Sequence, residues 1–331
     1  MSALDREQDV VDLAQKLGLT GPPVTAIINF CQEQIDTWVS EANGVTSVNE
    51  LETIVSDRLN LVFEEVNDES DFDRLKAKYV PMGEPIFAAL QLDLTDDTYG
   101  TMIRLKDSTH VAVVDCRGNK SARRFFTRWH EIAHLLVEDD VDIQVFRSTD
   151  EPLERLMDQI AGQVGFYDSI FTPIFNSHFR DGDRLMFDIV ELIRQEFCSY
   201  ASFQSTLYAC HRRLTTPLLY VEARMEYTAS ARRGLGQKLM FDDTKPEKKL
   251  RVQLAVPNGP ASKMGLTARK NMRVPQSSII YKAFQEELTD ALGQENMNLW
   301  TFSTGGSLND CDVSIQARRV DQAVMATIQP S

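Results

Sequence analysis

Two histidines four positions apart around a glutamate, in the stretch His130-Glu131-Ile132-Ala133-His134, are the residues of this chain best placed to do chemistry. The whole sequence holds only five histidines, so the pairing stands out. On an α-helix, positions i and i+4 share one face about 6 Å apart along the axis. Two imidazoles so placed can converge on one metal ion. Glu131 projects beside them, where it can take a proton from a water activated at that ion without itself being a ligand. The same spacing also arises in helices that bind nothing, so the site needs a third ligand from elsewhere.

Glu138 lies four residues beyond His134 but on the order of 12 Å along the axis from His130, too far for three ligands at about 2 Å from one ion. Asp139 and Asp140 fail for the same reason. A better source is the acidic helix expected after the break "STDEP", where Glu154 and Asp158 stand at i and i+4 in "ERLMD". One of these carboxylates could ligate the ion while the other accepts a hydrogen bond from the far nitrogen of a ligand histidine and fixes its tautomer. Glu151, three residues earlier on nearly the same face, is a substitute ligand. Tyr99, Tyr167 and Arg124 are candidates to steady a developing oxyanion, although core or surface roles are the simpler expectation for each. His110, His178 and His211 read as a strand, a loop and a helix-face residue, and none has ligand spacing with another histidine.

The pieces "HVAVVDCRGN", "RRFFTRWHEIAHLL" and "LERLMDQIAG" follow one another as strand and turn, metal-binding helix and acidic helix. In this order they resemble ImmA/IrrE-type metallopeptidases, within the broader gluzincin arrangement of H-E-x-x-H followed by E-x-x-x-D. The resemblance spans roughly residues 45 to 215, because "FCSYASFQSTLYACHRRL" is similar to the helix-turn-helix-like segment that follows the peptidase core in that family. It implies a zincin-like domain with His130, His134 and Glu154 as metal ligands, Asp158 as the orienting partner and Glu131 as general base. It further implies zinc, with manganese as the alternative, and a regulatory endopeptidase that cuts an XRE-type helix-turn-helix repressor in response to stress or a mobile-element signal. A GAF-like sensor domain can follow in such relatives, and the last 110 or so residues could be a reduced version of it.

The elements that must position these residues are legible as patterns. Residues 1–59 read as helices, with a "GPP" break and a capping box at Ser47 and Glu50. Strands are expected at "LVFEEV", "IFAALQLDL", "YGTMIRL" and "HVAVVDC". Helices return at "STDEPLERLMDQIAGQV", with Thr149 or Asp150 as N-cap and Pro152 in the first turn, then at "GDRLMFDIVELIRQEFCS" and "ASFQSTLYACHRRL". Beyond about Pro217 the period becomes two, in "LLYVEARMEYTAS", "KLRVQLAVP", "NLWTFST", "DVSIQARRV" and "QAVMATIQP", with one helix at "SSIIYKAFQEELTDALGQ". The basic run "KPEKKLR" reads as a solvated loop leading into a strand. The expected class is therefore α+β: a metallopeptidase domain over 1–170, a helical helix-turn-helix-like region over 171–218 and an α+β sensor or interaction domain over 219–331.

Composition sets outer bounds. Hydrophobic residues at 43% and charged residues at 25% indicate a folded globular chain. No window reaches the roughly 18 apolar residues of a membrane span, and the acidic, amphipathic N-terminus is unlike a signal peptide. The expectation is a soluble cytoplasmic protein. A net charge of −14 disfavours direct nucleic-acid binding, where Lys and Arg must neutralise phosphates, and suits a basic protein partner such as a DNA-binding repressor. Five scattered cysteines without a C-x-x-C pair read as buried reduced thiols. The competing expectation is a non-proteolytic regulatory protein that acts by contact through its C-terminal module, its metal structural or absent.

Overall fold

The computed structural model describes residues 3–95, 98–137, 143–147, 151–180, 182–228, 247–302 and 306–331. It is a mixed α+β protein in which the chain divides into two compact units, residues 1–178 with 191–209 and residues 179–190 with 210–331. The helical region expected at 171–218 is therefore distributed between the two units. Among the described residues no helix is long and apolar enough to cross a membrane.

The first unit opens with α1 (Gln8–Lys16), α2 (Pro23–Glu41) and α3 (Val48–Arg58). Pro23 begins α2 at a position where its missing N–H does no harm, and Val24, Ile27, Cys31, Ile35 and Val39 form its buried stripe at helical spacing. Ser47 caps α3 by accepting from the N–H of Glu50 at 3.2 Å. The Glu50 carboxylate reaches back one residue further than a capping box requires, to the N–H and hydroxyl of Thr46.

After β1 (Leu61–Val66) comes α4 (Ser70–Tyr79), a helix absent from the expectations. The strand expected at "IFAALQLDL" is instead a 3-10 turn at Pro85–Ala88 followed by the short α5 (Leu90–Asp93). The physical reason lies in the spacing: Phe87, Leu90 and Leu94 are the buried residues, separated by three and four positions, so the apolar run is one helical face. Strands β2 (Thr98–Arg104), β3 (His110–Asp115) and β4 (Ile143–Arg147) complete a sheet of order β1-β3-β2-β4, with β1 and β3 parallel and the other pairs antiparallel.

Between β3 and β4 runs α6 (Arg124–Val137), which carries His130, Glu131 and His134 and is followed by α7 (Pro152–Val164). Alternation along the strands separates the two faces of the sheet. Val111, Val113 and Ile103 pack with Phe72, Leu75 and Tyr79 of α4, while a Cβ at Gly100 on β2 would touch Thr127 and Glu131 of α6. Helix α6 thus lies across the sheet face opposite α4. Its residues from Trp129 to Val137 are all buried, as befits a helix at the centre of a unit.

Three further helices follow, α8 (Asp168–His178), α9 (Phe187–Phe197) and α10 (Phe203–Arg213). The first of these falls largely in the region expected to be helical from residue 171, although no separate helix is marked there and Pro173 lies inside it. The second unit is a five-stranded antiparallel sheet of order β6-β5-β9-β8-β7, built from β5 (Leu219–Glu226), β6 (Lys249–Pro257), β7 (Ala291–Asn296), β8 (Asp312–Val320) and β9 (Ala323–Pro330), with α11 (Gly259–Met264) and α12 (Ile279–Gln285). Two expectations fail in this unit. The helix expected to run through "TDALGQ" stops at Gln285, because Glu287 adopts φ +54 and the N–H of Leu288 turns back to the Ala283 carbonyl. No glycine marks that stop, and β7 follows. In the described part of "NLWTFST", residues 298–302, the chain leaves a 3-10 turn at Met297–Leu299 and makes one isolated bridge at Thr301 in place of a strand. Cys31, Cys116, Cys198 and Cys210 are buried free thiols and Cys311 is half-buried. Burial pushes the Cys31 and Cys210 thiols up to about 12, out of reach of ready oxidation.

Candidate metal centre

The turn from β3 into α6 is fixed by buried charge. Asp115, the last residue of β3, accepts from Arg117 Nε at 2.9 Å and Lys120 Nζ at 2.7 Å, and Lys120 also donates to the carbonyls of Thr95 and Thr98. Burial alone would raise the Asp115 carboxyl, but Arg117 and Lys120 hold it below the usual range. One turn into α6, Arg128 pairs with Glu52 of α3 and Glu65 of β1 and stacks over the Phe63 ring at 3.9 Å. These ties set the rotation of α6 about its axis. On the α7 side the limit is Gly165: a Cβ there would come within 2.8 Å of Trp129 Cγ, so only glycine allows the fully buried indole against α7.

Positioned in this way, three side chains meet. His130 Nε2 lies 3.2 Å from His134 Nε2 and 3.1 Å from Glu154 Oε2, and His134 Nε2 lies 3.6 Å from Glu154 Oε1. Two ligand atoms each about 2.1 Å from a tetrahedral ion stand about 3.4 Å apart, so the separations match three corners of such a shell. His130, His134 and Glu154 form a buried group that could hold a metal ion. His130 Nδ1 stands 3.0 Å from Asp158 Oδ1; with a carboxylate as acceptor, Nδ1 is the donor. That hydrogen bond leaves the Nε2 lone pair facing Glu154 and His134, the tautomer a metal ligand requires.

Glu131 is fully buried, and neither carboxylate oxygen has a hydrogen-bond partner. A buried carboxylate without a partner costs several kcal/mol, so the sequence tolerates it only for a reason. Burial pushes its carboxyl up to about 8, with the His130 charge opposing and Glu154 adding to the rise. For His130 burial would lower the ring, but the carboxylates of Asp158 and Glu154 outweigh it and hold it near 9. His134 is held well below its ordinary value by burial and by the neighbouring His130 charge. Two nitrogens and a carboxylate at these distances require a cation between them, and in the metal-free protein a proton on His130 serves. These donors fit a divalent metal, which would displace that proton.

Between pH 6.5 and about 9 the unfolded chain has released a His130 proton that the metal-free fold retains, and Glu131 acts in the same direction up to about 8. The metal-free protein therefore loses stability as pH rises through this window, while His134, already neutral in the fold, contributes little there. Metal binding strengthens over the same window. The gap in Tm between zinc-loaded and EDTA-treated protein is expected to be wider at about pH 8.5 than at about pH 6.5, and calorimetry of zinc binding at neutral pH to record proton release. A gap that is flat with pH would contradict the coupling.

Several anticipated residues lie elsewhere. The Tyr167 hydroxyl donates to Asp36 at 2.6 Å, Arg124 forms an ion pair with Glu65 at 2.6 Å, and Tyr99 lies under the Arg123 guanidinium at 4.1 Å. Of the other histidines, His178 pairs with Glu196, His211 meets the Val256 carbonyl and His110 sits on β3. The N-cap position of α7 falls at Glu151, whose side chain makes no cap hydrogen bond and does not join the ligand group. Glu138, Asp139, Asp140, Thr149 and Asp150 lie outside the described residues.

Sequence reasoning missed Gly100, although an isolated glycine inside the predicted strand "YGTMIRL" is a recognised signal of close backbone approach. A Cβ there would lie 2.8 Å from Glu131 Oε1 and 3.2 Å from the Val113 carbonyl. Gly100→Ala is expected to destabilise the fold by about 1–3 kcal/mol and to displace the Glu131 carboxylate while metal content stays unchanged, as read by thermal unfolding and metal analysis. Beside the ligands, Asp158 also lines a cavity of about 490 Å³ with Arg123, Phe126, Gln204, Ser205 and Tyr208, a size suited to several side chains of a bound segment. No protein-family model matches the chain and no curated protein matches it, so the chemistry of the site stands on its own geometry.

Proposed function

We propose that this protein is a zinc-dependent endopeptidase, its zinc held by His130, His134 and Glu154. The observation that carries the proposal is the pairing of that ligand group with Glu131, a buried carboxylate with no hydrogen-bond partner for either oxygen. A structural metal site needs no such group, whereas hydrolysis needs a base at this place in the motif. Zinc, when bound, supplies a Lewis acid and brings the pKa of water toward 7.

Each of the chain's own residues then has one task. Glu131, buried beside the ligand group, accepts a proton from the attacking water and passes it to the leaving amine. Asp158 holds the Nδ1–H of His130 and so keeps its Nε2 free to ligate. The cavity at Asp158, with its aromatic residues Phe126 and Tyr208, receives side chains of the substrate beside the reacting bond.

The substrate class follows from the resemblance of "RRFFTRWHEIAHLL" and "LERLMDQIAG" to ImmA/IrrE-type peptidases: a helix-turn-helix repressor, cut to release transcription under stress or on a mobile-element signal. The net charge of −14 suits a basic partner of that kind. To test it, helix-turn-helix repressors encoded beside the protein's own gene are co-expressed with the wild type and with Glu131→Gln. A cleavage product is expected with the wild type alone; products from both, or from neither, would remove the peptidase proposal.

A further inference from the structure

Three arginines stand in one row in the second unit, two on neighbouring strands and one at an isolated bridge beside them. Arg224 on β5 is the register partner of Arg251 on β6, and Arg251 bridges in turn to Arg273. Register partners point to the same face of a sheet, and like charges directly opposite one another are destabilising. The fold nonetheless buries the middle one: Arg251 is 8% exposed. Its Nη1 donates to the Asn271 carbonyl at 2.9 Å, while Nε is buried with no hydrogen-bond partner. Asn271 adopts φ +68 to present that carbonyl.

Around Arg251 opens a cavity of about 450 Å³ lined by Lys249, Arg269, Lys270, Arg273, Thr301 and Phe302. The Arg269 guanidinium lies 4.5 Å over the Phe302 ring, which braces it at the cavity wall. No carboxylate lines the cavity among the described residues, and no ion pair there joins any of the five cations. One acid stands in the same register, Glu226 opposite Lys249. Five positive charges are therefore gathered in one concavity of a chain whose net charge is −14. Such clustering is unfavourable without a counter-charge, and an arginine buried with an unsatisfied Nε adds to it.

We propose that this cavity binds a small oligophosphate, with Arg251 at its floor and Arg269, Lys270 and Arg273 around its rim. Guanidinium forks match phosphate oxygens two at a time, which is why arginines are preferred where such groups are recognised. The volume is that of a site for a nucleotide-sized molecule. A nucleic-acid strand fits less well, because it needs a long basic track and the rest of the protein repels it. The proposal stands independently of the metal centre: the ligand occupies the second unit whether or not the first cleaves peptides.

The test uses the full-length protein with pyrophosphate, ATP, adenosine and a single-stranded oligonucleotide of about 20 nucleotides, each titrated by calorimetry. Pyrophosphate and ATP are expected to bind, adenosine not, and Arg251→Gln to weaken both by at least about tenfold, the loss of one charge-assisted hydrogen bond. Similar affinities for pyrophosphate and ATP would place recognition in the phosphates alone; tighter ATP would add the nucleoside. Should Arg251→Gln fail to fold, the double variant Arg269→Gln, Lys270→Gln on exposed positions carries the same expectation. The proposal is overturned if neither phosphate compound binds at millimolar concentration, if adenosine binds as well as ATP, if the oligonucleotide binds more tightly than either, or if the variants bind as the wild type does.

Discussion

Glu131→Gln is expected to keep the metal and to lower peptide hydrolysis by a factor of about 10² to 10⁴, the range for removing a general base. Glutamine has nearly the shape of glutamate, so the ligand group of His130, His134 and Glu154 keeps its geometry. The amide cannot accept a proton from an attacking water, and that loss falls on kcat rather than on KM. Because the carboxylate is fully buried and unpartnered, stability is expected to hold or to rise in the variant: a neutral amide avoids the penalty of burying a charge. This combination, normal zinc content with unchanged or higher Tm and lost turnover, distinguishes a base from a structural residue. Metal analysis and thermal unfolding on the same preparation, beside the cleavage assay, read all three.

The second large effect separates the two carboxylates of α7. Glu154→Ala removes one of three ligand donors and is expected to abolish stoichiometric zinc and, with it, all hydrolysis. Asp158→Asn retains a side chain that can face His130 Nδ1 but no longer a carboxylate to draw its proton. Metal affinity is then expected to fall by about 10- to 100-fold with binding still measurable. The geometry distinguishes the pair: Glu154 oxygens face both imidazole Nε2 atoms, whereas Asp158 meets only the far nitrogen of His130. Chelator competition on the two variants measures the difference. Equal losses would mean that the two acids share one role.

What could be read from the sequence was the part governed by local spacing. The i, i+4 histidines, the acids at Glu154 and Asp158 one helix later, and the strand and turn leading into α6 all express short-range periodicities that the fold retains. What could not be read depends on contacts between distant segments. Gly100 matters because Glu131 lies behind it, and Gly165 because Trp129 does. The turn at Pro85–Ala88 and the short α5 were obscured because one apolar run can serve a strand or a helix. The end of α12 was hidden because Glu287, not glycine, takes the left-handed turn.

The largest revision concerns charge. The run "KPEKKLR" reads as a solvated loop leading into the strand "KLRVQLAVP", and β6 is that strand; the pattern gives no sign that Lys249 and Arg251 on it line a cavity with arginines from the segment 269–273. Strand pairing, which no local pattern reveals, is what gathers them. An overall charge of −14 conceals such a local concentration, since net charge says nothing about where individual charges fall.

The metal content of the purified full-length protein tests the central claim most directly. Elemental analysis after exchange into metal-free buffer is expected to find about one zinc per chain in the wild type and in Glu131→Gln, and none in Glu154→Ala or His134→Ala. Wild-type protein that retains no stoichiometric metal, and takes none up when zinc is supplied, would contradict it.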